Sequence, residues 1–196
     1  MKIIFATGNE NKLTEIRKIL SDLDVEVVSM KEAGIRADIV EDGKTFAENA
    51  LIKARTICKA CGEITMSDDS GLVIDALGGE PGIYSARYLG EDTSYHIKNN
   101  NLIERLEGVP DEKRTARFVC AIAAVLPDGR ELSTTGYYEG AIGYEEKGEN
   151  GFGYDPIFYL PDVGKYSAEL SDEEKNARSH RGQALREMRD MLEKVM

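Results

Sequence analysis

The sequence predicts an α/β protein whose β-sheet is mixed and flanked by helices. Two observations carry most of that reading. Short apolar segments of strand length alternate with longer segments whose apolar residues recur at helical spacing. Further on, residues 118–126 and 131–139 read as two strands separated only by Pro127, Asp128, Gly129 and Arg130, the composition of a hairpin turn. A hairpin is antiparallel, which argues against a simple doubly wound parallel sheet.

Taken in order, residues 2–6 form an apolar run that reads as a buried strand, and Leu13, Ile16, Ile19 and Leu20 place a helix after a glycine-containing turn. Residues 25–29 are a second strand, and the polar, acidic stretch 33–44 reads as a loop. Thr45 and Glu48 have capping-box spacing, and Ala47, Ala50, Leu51, Ala54, Ile57, Cys58 and Cys61 make one apolar stripe that Gly62 ends, so this helix is the best defined of all. Residues 64–67 predict a short strand, followed by an acidic turn at Asp68, Asp69, Ser70 and Gly71 and the apolar pair Val73 and Ile74. Gly78, Gly79, Pro81 and Gly82 require a loop. Residues 95–106 fit a helix, residues 140–156 a glycine-punctuated loop or irregular strand, Ser171 and Glu174 a second capping box, and Leu185, Met188, Leu192 and Val195 a C-terminal helix. No repeat, low-complexity tract or linker interrupts residues 1–196, which read as one domain.

Composition narrows the functional classes. A chain of 196 residues with 41% hydrophobic content can bury roughly two-thirds of its unfolded surface without staples. The formal net charge of −11, from 36 acidic and 25 basic residues, argues against a broad attraction to nucleic acid or an anionic membrane. An anionic ligand must therefore meet a local positive cluster. Three cysteines are too few and of the wrong parity for a secreted disulfide framework, so the expected home is the cytoplasm. The opening apolar run is shorter than a signal-peptide core, and the longest, residues 119–126, is far short of a membrane span.

Several constellations can carry chemistry. Thr7, Gly8, Asn9 and Lys12 sit where a strand meets a helix, so backbone N–H groups and one ammonium can face a phosphate; an ordinary turn with a solvated lysine explains the same residues equally well. The segment lacks the Gly-Lys-Ser/Thr of a P-loop. Glu41 and Asp42 precede a helix and Asp68 and Asp69 end a strand, two acidic pairs that can share a hard cation such as Mg2+, although any single one reads as a solvated carboxylate. If the chain stays extended at Asp68 and Asp69, their side chains face opposite ways, so only one enters a given site and the other organises the Ser70-Gly71 turn. Cys58 and Cys61 form a C-x-x-C but lie on an apolar stripe near a helix C-terminus, where core packing is the expected role. Phe152 among glycines permits close approach of a flat ring, or folds into the core, while Lys175, His180 and Arg181 concentrate donors or answer helix dipoles.

Taken together these segments resemble the inosine triphosphate pyrophosphatase family, also called the dITP/XTP or deaminated-purine pyrophosphatases. The carriers are Thr7-Gly8-Asn9-x-x-Lys12, Glu41-x-Gly43-x-Thr45-Phe46-x-Glu48-Asn49-Ala50 and Asp68-Asp69-Ser70-Gly71-Leu72. They continue with Gly82-Ile83-Tyr84-Ser85-Ala86-Arg87-Tyr88, Gly151-Phe152-Gly153-Tyr154-Asp155-Pro156 and Ser179-His180-Arg181-Gly182. The resemblance implies an elongated mixed sheet with two lobes around a substrate cleft, a homodimer, and hydrolysis of ITP, dITP or XTP to the monophosphate and pyrophosphate. It implies that Thr7, Gly8, Asn9 and Lys12 hold the triphosphate, with Lys53 a helper. Glu41 and Asp69 would bind Mg2+, with Asp69 also the general base. Ser70, Phe152, Gly153, Tyr154, Asp155, Lys175, His180 and Arg181 would bind the nucleoside and its base. Two other readings stay open on the residues: a pyrophosphatase for pyrimidine or methylated nucleotides, and a nucleotide sensor without turnover.

Overall fold

The structure is a computed structural model and describes residues 1–7 and 9–195. Its elements run β1 (Lys2–Phe5), α1 (Glu10–Ile19), β2 (Glu26–Ser29), α2 (Phe46–Cys61), β3 (Ile64–Ile74), α3 (Tyr95–Arg105), β4 (Thr115–Val125), β5 (Glu131–Ile142), β6 (Phe158–Leu160), β7 (Lys165–Tyr166), α4 (Asp172–Arg178) and α5 (His180–Glu193). The strands form one sheet in the order β2-β1-β3-β4-β5-β6-β7. β1 pairs in parallel with β2 and β3, whereas β6 pairs antiparallel with β5 and β7. The sheet is mixed, as expected.

The helix ends follow from their capping residues. Thr45 accepts a hydrogen bond from the Glu48 N–H and Gly62 closes α2 in the left-handed conformation. The Glu48 carboxylate reaches the N–H of Lys44 rather than that of Thr45, so the box closes one residue early. At α4 the reciprocal box between Ser171 and Glu174 is complete.

The chain divides into two compact units. The first comprises Met1–Asp69, Cys120–Gly136 and Arg181–Met196, and the second Ser70–Val119 and Tyr137–His180. In the first, β4 is apolar on both faces because both are covered. Cys120, Ile122 and Ala124 join Leu13, Ile16, Leu185 and Met188 of α1 and α5, while Ala121, Ala123 and Val125 pack on Ala50, Ala54 and Cys58 of α2. The second unit is built around Leu72, Leu102, Phe118, Tyr154, Ile157 and Phe158.

One expectation is corrected and the strand assignment is extended at two places. β3 is a single strand through Asp68, Asp69, Ser70 and Gly71, with no acidic turn; the Lys12 and Arg181 cations neutralise Asp68, so the chain need not bend to bring it to water. β5 continues through Gly140 to Ile142, because Gly140 lets the Tyr159 carbonyl and the Phe158 ring approach to where a Cβ would stand, 2.6 and 2.7 Å away. β6 and β7 add two short strands after the region read as loop or irregular strand.

Candidate active site

The turn after β1 is organised by its own side chains. Thr7 Oγ1 accepts from the Asn9 N–H at 3.1 Å and Asn9 Oδ1 accepts from the Lys12 N–H at 3.3 Å, an N-cap for α1. Gly8 lies outside the described residues. The Lys12 ammonium is not a solvated charge: it donates to Asp68 Oδ2 at 2.7 Å. Asp68 is 2% exposed, and Arg181 Nε stands 4.0 Å from the same oxygen while Arg181 Nη1 pairs with Glu15 at 3.0 Å. Burial pushes the Asp68 carboxyl upward, but the Lys12 and Arg181 charges outweigh it and hold the group well below the usual carboxylate range.

Because β3 stays extended, Asp69 faces away from Asp68 and meets different partners. Its Oδ2 accepts from Asn49 Nδ2 at 3.2 Å, and its Oδ1 lies 3.7 Å from Lys53 Nζ. The same ammonium is 3.2 Å from Glu41 Oε2. Glu41 and Asp69 thus converge on one cation. Burial raises the Asp69 carboxyl above its ordinary value, with Lys53 and Asn49 opposing, so it is more basic than a solvated aspartate. Two oxygen donors turned toward one positive charge suit Mg2+, which is commonly held by one or two carboxylates with substrate phosphates filling its shell. Among the described residues, no group of three or more His, Cys, Asp or Glu side chains forms a self-sufficient metal cage.

The remaining expected residues belong to the second unit. Asp155, 3% exposed, accepts from the Phe152 N–H at 2.9 Å, from Ser167 Oγ at 2.9 Å and from the Lys175 ammonium. The Lys175 ammonium also lies 4.9 Å from the Phe152 ring centroid, and that ring is 47% exposed. Asp155 is therefore the post that ties Phe152 and Lys175 together, and Gly151 is needed beside it because a Cβ there would fall 2.4 Å from its carboxylate. Tyr154 is buried, donates to the Ser85 carbonyl at 2.6 Å and meets the Tyr95 ring edge-on, so its phenol supports the loop from beneath. Gly153 adopts φ +66, and its carbonyl accepts from Asn99 at 3.2 Å. His180 is buried and stacks on Phe118, with ring centroids 5.2 Å apart. Ser70 is the first residue of this unit, adjacent in β3 to Asp69.

Lys12 and Arg181 thus come together around Asp68, Lys53 and Glu41 come together at Asp69, and Phe152 and Lys175 come together at Asp155. Sequence reasoning missed Glu15, Asn99 and Ser167, and it placed Asn49 and Ser85 in family motifs without giving either a role. Asn49 carried a second visible signal besides its motif position, a polar residue beside the apolar positions Ala47, Ala50 and Leu51 of a helix.

The family model described as the Ham1 family matches residues 3–191. The chain belongs to the Ham1 family. A dITP/XTP pyrophosphatase of Caldanaerobacter subterraneus subsp. tengcongensis is 50% identical over 193 residues, covering 98% of this chain and 96% of that one. Another dITP/XTP pyrophosphatase, of Exiguobacterium sibiricum, is 46% identical over 98% of this chain and 97% of its own. Among solved structures, a HAM1 protein from Coxiella burnetii superposes with a TM-score of 0.92 at 42% identity, covering 99% of both chains. The Staphylococcus aureus Ham1 protein gives 0.92 at 39% identity, covering 100% of each. The Ham1 match therefore spans the same segments that carried the family resemblance in the sequence, and the mixed sheet is that of its solved members.

Proposed function

We propose that this chain hydrolyses deaminated purine nucleoside triphosphates, namely ITP, dITP and XTP, to the nucleoside monophosphate and pyrophosphate, keeping them out of DNA and RNA. The names of its full-length Ham1 relatives support the substrate class. The observation that carries the chemistry is the convergence of Glu41 and Asp69 on the Lys53 ammonium, a cation position lined by hard oxygen donors.

In this reading Thr7, Gly8, Asn9 and Lys12 hold the triphosphate, and Lys12 and Lys53 spread its charge so that a nucleophile can approach. Glu41 and Asp69 would hold Mg2+, which would supply further charge neutralisation at the triphosphate and make water easier to deprotonate. Asp69, placed beside the cation position, takes the proton from the attacking water. The bond cleaved is the α–β phosphoanhydride. Phe152 offers a stacking face to the purine, and Ser70, Gly153, Tyr154, Asp155, Lys175 and His180 form or support the nucleoside site. Arg181 donates to the 6-oxygen of hypoxanthine or xanthine. Glu15 and Asp68 fix its guanidinium, so its donors are oriented before the base arrives. The protein acts in the cytoplasm as a homodimer.

Separation of products after incubation with ITP tests this. The expected outcome is IMP and pyrophosphate in the presence of Mg2+ and almost no turnover in excess chelator. Release of single phosphate to give IDP overturns it.

A further inference from the structure

Asn49 lies in α2, is 1% exposed and uses both ends of its amide. Its Oδ1 accepts from the Gly43 N–H at 2.9 Å, and its Nδ2 donates to Asp69 Oδ2 at 3.2 Å. Gly43 belongs to the loop that carries Glu41, two residues earlier, whereas Asp69 lies on β3. One side chain therefore bridges the two segments that bear the acidic pair. The bridge also explains Gly43. A Cβ there would lie 2.6 Å from Asn49 Oδ1 and 2.9 Å from the Asn49 backbone nitrogen, too close for any other residue without displacing the loop.

We infer that Asn49 is a positioning residue that sets the orientation of Asp69 and the placement of the Glu41 loop, so that the two carboxylates face one cation. The inference rests on the reading of Glu41 and Asp69 as metal-holding groups. The physical reason is that a carboxylate rotates about its terminal bond unless something fixes it. A buried amide donor on Oδ2 leaves Oδ1 as the oxygen turned toward the cation position now filled by Lys53. The acceptor end of the same amide holds the flexible loop at a set height on α2. Loss of such an outer contact around a metal typically costs about 10–100-fold in metal affinity or activity.

The test uses the full chain and Mn2+ alone, with free ion followed by electron paramagnetic resonance, alongside kinetics with ITP over a range of Mg2+. Asn49→Leu keeps the branching at Cγ, with somewhat larger terminal groups, and removes both hydrogen bonds. It should raise the Mn2+ Kd by about 10–100-fold and lower kcat at saturating Mg2+, with KM for ITP little changed. Gly43→Ala puts a Cβ against Asn49 Oδ1 and pushes the loop off the amide while keeping the Asn49 donor to Asp69 in the sequence; it should raise the Mn2+ Kd while leaving kcat at saturating Mg2+ nearer the parent value. A purely structural role would lower Tm and leave both metal curves in place; that result for either variant overturns the inference. A parent protein that binds no Mn2+ and turns over ITP equally well in excess chelator overturns instead the metal reading of Glu41 and Asp69, and the inference with it; where Mn2+ binds only with substrate, the Mg2+ dependence of kcat carries the comparison of the variants.

Discussion

The two compact units put their carboxylate–cation pairs to different use. In the first, every expected site cation is engaged by carboxylates: Lys12 and Arg181 by Asp68, Arg181 also by Glu15, and Lys53 by Glu41 and Asp69. In the second, one buried carboxylate, Asp155, fixes a backbone N–H and a lysine so that an aromatic face stays exposed. The first arrangement suits a ligand that brings its own negative charge and cation, because strong local fields are preset and need little reorganisation. The second suits a neutral flat ring, whose recognition needs area and a few oriented donors. Neither follows from the overall charge of −11, which would repel a polyanion.

Removing the carboxylate proposed as general base breaks the comparison most severely. Asp69→Asn should lower kcat by about 10²–10⁴, the usual worth of a general base, with a further loss if metal binding weakens. Binding of a non-hydrolysable α,β-methylene ITP should persist, because Thr7, Asn9 and Lys12 are untouched. Single-turnover kinetics and calorimetry check the two halves separately. A variant with near-normal kcat removes Asp69 from the mechanism.

The next contrast pits Arg181 against Phe152. A buried donor that pairs with the 6-oxygen leaves adenine's amino group unmatched, a mismatch that can discriminate by about 10⁴ or more. Arg181→Ala should therefore erode the preference for ITP over ATP in kcat/KM. Arg181→Lys, which still neutralises Asp68, guards against a mere folding defect. Stacking on an aromatic is worth about 1–3 kcal/mol per base and is indifferent to its edge. Phe152→Ala should weaken all purine substrates by a similar factor and leave Tm unchanged, since the ring is half exposed. Equal losses for ITP and ATP in Arg181→Ala would make that residue a phosphate-side or structural group.

Local signals were legible in the sequence, and long-range pairings were not. The Thr45 cap, the apolar stripe and Gly62 define α2 because each acts within a few residues. The strand through Asp68 and Asp69 could not be read, because what permits a buried Asp68 is Lys12, 56 residues away, and Arg181 at the far end of the chain. Opposite facing of the two aspartates was foreseen for an extended chain, yet the role given to Asp68, organising a turn, gave way to neutralising Lys12 and Arg181. β6 and β7, of three and two residues, are too short for any periodic signal. In the second unit, Tyr154 carried a motif position without any sign that its hydroxyl goes to Ser85. The convergence of Glu41 with Asp69 rests on Asn49 and Lys53 of α2, which no spacing rule anticipates.

The smallest expected effect concerns Cys58 and Cys61, which belong to neither charge arrangement. Cys58 is 6% exposed and packs among Ala50, Ala54, Ala121, Ala123 and Val125, so its sulfur fills volume between α2 and β4. Cys61, half-buried, lies 3.7 Å from Thr65 Oγ1. Burial raises the Cys58 thiol above its ordinary value, with the neighbouring Cys61 adding to the effect, and a thiol kept protonated is a poor nucleophile toward oxidants. Both residues also stand in the last turn of α2, where the helix dipole disfavours a thiolate. Replacing both by Ala should leave kcat and KM for ITP at parent values and lower stability by about 1 kcal/mol from lost packing, read as a shift of the urea midpoint at constant m-value. Mild oxidant should inactivate parent and double variant alike, if at all. Oxidative loss of activity in the parent that the double variant escapes would show that the pair governs the site from behind α2, and would tie the packing of that helix to Asp69 through Asn49.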